Sequence, residues 1–238
     1  LTHPDPDHLK GLNFIASHFS IGQFWDNGLQ VNSESYLQFR KTLETKKIKI
    51  ESLNRETTPQ TINAIQISIL NPPPPLLVTK DASHRKVLDP SFLNNHSLVM
   101  KLQFKEMSVL LPGDIQKEAE YRIVRTGYPL RSDILKIPHH GSASSSTQAF
   151  LERVKPSYAI LSVSERSLGR LPHLEVLRRY ERLGTRIFRT DKQGAVTVVT
   201  DGEKIEIETF QPNYHQPNYH LTYPSGCNRL RQNPSLPK

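Results

Sequence analysis

The chain is nearly devoid of cysteine. Cys227 is the only one in 238 residues, which excludes an intrachain disulfide and any zinc site built on thiolates. Long apolar runs are also missing. No stretch approaches the ~20 residues of a membrane span, and the first residues have neither the basic region nor the apolar core of a signal peptide. Hydrophobic residues make up only 36% of the chain, a low share for a compact domain. Acidic residues are outnumbered, 23 against 31 Lys and Arg, for a formal charge of +8. That balance favours anionic partners, although a soluble protein with a solvated basic surface has it too. Proline is abundant, with 18 residues, many near the C-terminus, so part of the chain is expected not to pack. The length suits one domain, or one domain and a tail.

Along the chain, apolar residues at helical spacing predict helices from Leu9 to about Phe19 and from Ser33 to about Thr45. Ile65, Ile67 and Ile69 alternate as in a strand, and the prolines from Pro72 end it. Residues 97–111 read as a strand pair, 116–126 as a helix, and 134–137 and 158–163 as short buried strands. Helices are expected near 147–154 and 173–183, strands at 186–189, 195–200 and 204–210, a turn at 191–194, and a hairpin turn at Asp201-Gly202. Helices interleaved with strands, some in hairpins, indicate an α/β sandwich with mixed sheets. After Phe210 the composition changes: Gln-Pro-Asn-Tyr-His occurs twice in tandem, and proline and polar residues run to Lys238. Residues 211–238 are expected to be a disordered tail.

The chemistry is concentrated in three places. The first is Leu1-Thr2-His3-Pro4-Asp5-Pro6-Asp7-His8. In an extended segment, side chains two apart point the same way, which groups His3, Asp5 and Asp7, and the turn into the helix brings His8 to them. Imidazole and carboxylate are ligands for a borderline divalent metal. The second is Asp114, after Val109-Leu110-Leu111. A carboxylate there can bridge two ions about 3.5–4 Å apart, the spacing that clamps a displacement reaction. The third is His139-His140, after Ile134-Leu135-Lys136-Ile137. Gly141 and Ser142 behind them allow close approach of a substrate and offer donors. Alone, a Gly-Asp after a strand is usually a turn, and a His pair is usually core or surface.

Together these residues resemble a known family. Thr2-His3-Pro4-Asp5-Pro6-Asp7-His8 is similar to the signature loop of the metallo-β-lactamase fold, in the variant with Asp at the second ligand position. The wider pattern resembles the C-terminal hydrolase-like domain of the ComEC family of DNA-internalisation competence proteins. It is carried by Trp25-Asp26-Asn27-Gly28, Leu70-Asn71-Pro72-Pro73-Pro74-Pro75, Leu93-Asn94-Asn95-His96-Ser97-Leu98-Val99, Leu110-Leu111-Pro112-Gly113-Asp114-Ile115, Leu135-Lys136-Ile137-Pro138-His139-His140-Gly141-Ser142 and Pro172-His173-Leu174-Glu175-Val176-Leu177, in the family's order over residues 1–210.

The resemblance implies an αββα sandwich with mixed sheets. It implies one or two divalent ions, manganese or zinc, held by His3, Asp5, Asp7, His8, Asp114 and one of His139 and His140, of which His140 is preferred. Asp7 and His173 are the expected catalytic groups, and Asn95, Ser142 and Lys10 the expected substrate contacts. His96 is either an extra ligand or, by preference, a loop residue. The implied activity is that of a nuclease-type phosphodiesterase acting on single-stranded DNA. In the family the domain lies on the outer face of the cytoplasmic membrane beside a membrane channel domain; nothing in this sequence assigns the chain itself to a location. A different hydrolase activity on the same fold and an inactive remnant are the alternatives. The basic run Arg166, Arg170, Arg178, Arg179, Arg182, Arg186, Arg189 and Lys192 offers a track for a nucleic-acid backbone. The chain departs from the family at Leu171, where its His-Pro-His-Pro-Glu pattern has a histidine, at Pro112, where threonine is usual, and at Lys10, where a small residue is usual. The family's opening strands are absent ahead of Leu1, which predicts a fold incomplete at the N-terminus, with a sheet lacking central members.

Overall fold

The computed structural model describes residues 1–74, 89–167 and 170–211, apart from the side chain of Arg166. Pro6 determines where the chain first becomes helical. It has no N–H to lose, and its fixed φ suits the first helical position. Helix α1 therefore runs Pro6–His18 with Asp5 as N-cap, starting ahead of the Leu9 expected from apolar spacing. Leu9 and Ala16 are buried, whereas Ile15 and Phe19, predicted on the apolar face, are exposed. Strands β1 (Gln23–Asp26) and β2 (Lys49–Ser52) pair in parallel. Between them lies α2 (Glu34–Thr45), whose N-cap Ser33 accepts from the Tyr36 amide. Leu9 and Ala16 pack with Phe24, Tyr36, Phe39, Leu43 and Ile48, so α1 and α2 cover one face of this small sheet.

A second sheet has seven strands in the order β3 (Gln60–Ile62), β4 (Ile65–Asn71), β5 (Val99–Phe104), β6 (Met107–Leu111), β7 (Ile134–Lys136), β8 (Tyr158–Leu161) and β9 (Arg186–Arg189). From β3 to β6 the pairing is antiparallel and from β6 to β9 it is parallel. A short helix that sequence spacing misses, α3 (Pro90–Asn95), precedes β5 and is capped by Asp89. Parallel neighbours need crossovers, supplied by α4 (Lys117–Arg125), α5 (Gln148–Val154) and α6 (Leu174–Arg182).

Alternation along each strand separates two faces. Leu70, Val99, Leu110, Leu135, Ala159 and Leu161 join Ile123, Phe150, Val154, Val176 and Tyr180 in the main core beneath α4–α6. Ile67, Ile69, Leu98 and Met100 meet Trp25 and Leu53 on the other face. The layers are therefore helices, seven-stranded sheet, two-stranded sheet, helices, which is the mixed-sheet αββα sandwich expected. A four-residue helix, α7 (Thr190–Gln193), stands where a turn is expected. The hairpin β10 (Val196–Thr200) and β11 (Ile205–Thr209) turns at Asp201-Gly202 as predicted, and the Asp201 carboxylate accepts from the Glu203 and Lys204 amides. The predicted tail, beyond Gln211, lies outside the described residues. Among the described residues no helix is long and apolar enough to cross a membrane.

Under α4, a buried polar group ties the helices to the serine-rich segment 142–147. The Glu120 carboxylate accepts from the amides of Ser146 at 2.5 Å and Thr147 at 2.8 Å. Ser146 Oγ and the Tyr180 hydroxyl lie 3.0 Å apart, and Arg179 donates to the Ser146 carbonyl at 3.0 Å. Burial outweighs these bonds and raises the Glu120 carboxyl from 4.5 to about 7. The folded state then binds this proton more tightly than the unfolded state. Its stabilisation is fully present below pH 4.5 and is lost as pH rises through about 7, an effect on the order of 3 kcal/mol. Urea denaturation should show stability falling from pH 5 to 8, and Glu120→Gln should flatten that slope.

Candidate metal centre

Three chain segments are steered to one point. The Thr2 carbonyl accepts from the Leu98 amide at 2.8 Å, which lays the segment before α1 beside the start of β5. At the end of β6, Gly113 has φ +62, and a Cβ there would stand 2.7 Å from Ser97 Cβ and 3.2 Å from Thr2 Cβ. Only glycine permits both the turn and the approach. Next to it, Ser97 Oγ accepts from the Asp114 amide at 3.1 Å, which directs the aspartate. After β7, His139 and His140 adopt φ of 47 and 52, and Gly141 follows at 79. Left-handed conformations are uncommon for non-glycine residues. Three in succession turn the chain sharply and bring the His140 ring to the carboxylates.

Asp7, His8, Asp114 and His140 each offer a ligand atom, and all four atoms lie within 4.8 Å of one another. His8 Nε2 and His140 Nε2 are each 3.2 Å from Asp114 Oδ2. Asp7 Oδ2 is 3.3 Å from His140 Nε2 and 3.7 Å from His8 Nε2. His3 and Asp5 form a neighbouring pair, 3.6 Å apart, with the His3 ring 4.3 Å from that of His8. The expected row of His3, Asp5 and Asp7 is thus divided. The helix begins at Pro6, so Asp7 and His8 sit on its first turn while Asp5 stays extended.

The environment suits a cation. Nε2 of His3, His8 and His140 and Oδ1 of Asp114 are buried without a hydrogen-bond partner. Such atoms cost about 1–3 kcal/mol each when left unmet, and a bound ion is one reason for a fold to leave them so. The Nδ1 atoms are engaged instead. That of His140 lies 2.7 Å from the Ser162 carbonyl, which can only accept. Those of His3 and His8 lie 3.0 and 3.3 Å from Thr2 Oγ1. Holding Nδ1 in this way directs Nε2 toward a metal. Two imidazoles and two carboxylates fit a divalent ion of the manganese or zinc kind.

The carboxylates of Asp114 and then Asp7, at 3.2 and 3.3 Å from Nε2, favour the charged imidazole of His140 and raise its pKa to about 10. The nearby His140 ring in turn lowers Asp7 to about 2. Burial opposes ionisation of Asp114, but the adjacent His140 and His8 rings hold it well below the usual carboxylate range. His3 is pushed down to about 4 by burial and then by the charge of His8.

The other predicted residues divide. His139 is outside the converging four, with Nδ1 3.3 Å from Ser144 Oγ, and burial lowers its pKa. Half-buried Ser142 bonds to Ser144. The His173 amide donates to the Gly141 carbonyl at 2.9 Å, and its side chain is exposed at the start of α6. His96 caps α3 and bonds back to Phe92, the loop role preferred for it.

Of the expected substrate contacts, Lys10 is exposed on α1. Asn95 is buried, and its Oδ1 accepts from the Gln116 and Ala119 amides, both at 3.1 Å. Gln116 gives α4 no side-chain cap, so Asn95 caps that helix from a distance. This occupies its side-chain acceptor.

The basic run is largely paired. Arg178 and Arg182 face Glu175, Arg189 grips Asp191, Arg179 holds the serine segment, and Arg186 lies over Phe188. Sequence reading passed over Thr2 and Ser97, which aim the ligands, and Lys136, whose Nζ is 4.0 Å from Asp114 Oδ1. Lysine within an otherwise apolar strand was the signal for the last.

No protein-family model matches the chain. It is 28% identical over 196 residues to ComE operon protein 3 of Bacillus subtilis, a match covering 82% of this chain and 24% of that protein. It is 33% identical over 115 residues to competence protein ComA of Neisseria gonorrhoeae, covering 48% of this chain and 16% of the relative. The chain thus spans about a quarter or less of the length of these relatives. Among solved structures it resembles a Thermotoga maritima protein provisionally described as a zinc-dependent hydrolase of the metallo-β-lactamase superfamily, with 9% identity, TM-score 0.32 and 69% of each chain covered.

Replacing a ligand should weaken metal binding more than the ~10–100-fold typical of outer-shell partners. Titration calorimetry with Mn²⁺ should therefore show Asp114→Asn binding over about 100-fold more weakly than the native chain. Asn95→Ala should instead cost about 1–2 kcal/mol of stability through the lost cap, read by urea denaturation, and leave Mn²⁺ affinity unchanged.

Proposed function

We propose that this chain, a homologue of bacterial competence proteins, is a metal-dependent hydrolase of the metallo-β-lactamase type that cleaves phosphodiester bonds in single-stranded DNA. One observation carries the reading: Asp7, His8, Asp114 and His140, drawn from three separate segments, converge with buried and unmet Nε2 atoms on both histidines. A divalent ion held by these four would supply Lewis-acid polarisation of a phosphoryl oxygen and activation of water at neutral pH. His3 and Asp5 are the residues available to a second ion.

The chain's own groups have separable tasks. Asp7 is 62% exposed, so its ionised carboxylate faces incoming solvent and orients a water for attack. His140 is fixed through Nδ1 by Ser162 and keeps its other nitrogen on the cluster. In this reading His173, exposed beside the Gly141 turn, returns a proton to the leaving oxygen. DNA as the substrate is supported by the competence relatives and by the +8 charge. The paired arginines of α6 place little weight on that helix as a backbone track. The assignment to competence-linked DNA uptake, and to the outer face of the cytoplasmic membrane, belongs to this proposal.

The purified chain with Mn²⁺ should cut labelled single-stranded DNA, with activity abolished by EDTA and falling steeply with salt. Asp7→Ala should lower the rate about 100-fold or more without unfolding the protein. Absence of DNA cleavage together with turnover of neutral p-nitrophenyl esters would overturn the nuclease reading in favour of another hydrolase on the same fold.

A further inference from the structure

Strand β7 is apolar except at one position. Leu135 and Ile137 point into the core beneath α4–α6. Side chains alternate across a strand, so Lys136 projects from the opposite face, toward Asp114. Its side chain is three-quarters buried, at 25% exposure. Burying an ammonium is costly unless it is well paired, yet the pairing here is incomplete. An ammonium has three donors. Its partners among the described residues are the Ile137 carbonyl at 3.4 Å and Asp114 Oδ1 at 4.0 Å, the latter beyond hydrogen-bond reach.

The carboxylate is divided in a matching way. Asp114 Oδ2 faces His8 and His140 at 3.2 Å, while Oδ1, on the Lys136 side, is buried with no hydrogen-bond partner. A fixed cation with spare donors therefore stands directly beside the residues that hold the reacting centre. Lys10, the cation expected from sequence, is exposed on α1 and does not take this place.

We propose that Lys136 is the substrate-binding cation of the site: its ammonium holds a non-bridging oxygen of a phosphodiester while the phosphorus sits at the Asp7, His8, Asp114 and His140 cluster. The inference rests on the phosphodiesterase reading above and names the residue that recognises its substrate. A phosphodiester carries an anionic oxygen for the lysine to hold, whereas a neutral ester or lactone does not. Lys136 thereby selects phosphodiesters over other substrates open to the same fold.

The test uses inorganic phosphate as probe and the Mn²⁺-loaded chain, with metal content read by mass spectrometry and phosphate affinity by calorimetry. Lys136→Met should retain the native metal content and bind phosphate roughly 10–100-fold more weakly, the worth of one charge-assisted hydrogen bond. Its kcat/KM for bis(p-nitrophenyl) phosphate should fall by a similar factor. Lys136→Arg should recover part of the phosphate affinity. If Lys136→Met does not fold, Lys136→Gln serves the same comparison. Native phosphate affinity in a metal-loaded Lys136→Met protein would overturn the proposal alone. So would loss of the metal from that variant, which would make the lysine a brace for the ligands. Failure of the native chain to take up Mn²⁺ would bring down the hydrolase reading and this inference with it.

Discussion

The carboxylate of Asp114 is the constraint around which the functional half of the molecule is arranged. It is 3% exposed, and a buried carboxylate is unfavourable unless cations or donors surround it. Here His8 and His140 meet one oxygen and Lys136 approaches the other. These partners come from the first turn of α1, the turn after β7 and β7 itself. Each segment must therefore be in place before the aspartate is tolerable. Gly113, Ser97 and the left-handed turn at 139–141 make sense as the means by which the chain delivers them.

The sandwich makes that delivery possible. Parallel strands β6 and β7 end side by side, so Asp114 and the His139-His140 turn emerge at neighbouring points. The gap between the two sheets is apolar where Trp25 and Leu53 meet Ile69 and Leu98 and polar where Thr2, His3 and Ser97 meet. The polar part leaves several ring nitrogens and a carboxylate oxygen unsatisfied. Stability is forgone there in exchange for binding capacity, which the well-packed core beneath α4–α6 offsets. Glu120 repeats the pattern on a smaller scale: an acid raised by burial holds the serine segment that follows the histidines.

Much of this was legible in the sequence, though unevenly. Helices and strands with clean periodicity, such as α2 and β4, stand close to where spacing places them, because local patterning reports which face is covered. Helix α1 starts early because Pro6, a local cue, outranks the apolar period. Ile15 and Phe19 fit the period and are still exposed, since among the described residues no partner element covers that side. Asn95 looked like a site residue by its position in a motif, but its carboxamide caps a helix more than twenty residues onward. Lys136 stood in the open as an oddity in an apolar strand, and its meaning depended on what lay opposite.

The sequence by itself determined the donor inventory: two histidines and two aspartates within the first eight residues, an aspartate after one strand and a histidine pair after another. It also determined the backbone freedom at Gly113 and Gly141 that allows them to meet, because residue chemistry and conformational preference are local properties. Tertiary structure decided how those donors are divided. It set Asp7, His8, Asp114 and His140 together and His3 with Asp5 beside them, left His139 outside the converging four, and brought Lys136 to within 4.0 Å of the carboxylate. Those outcomes depend on distances of a few ångströms between segments far apart in the chain, which are set only when strands pair and sheets pack.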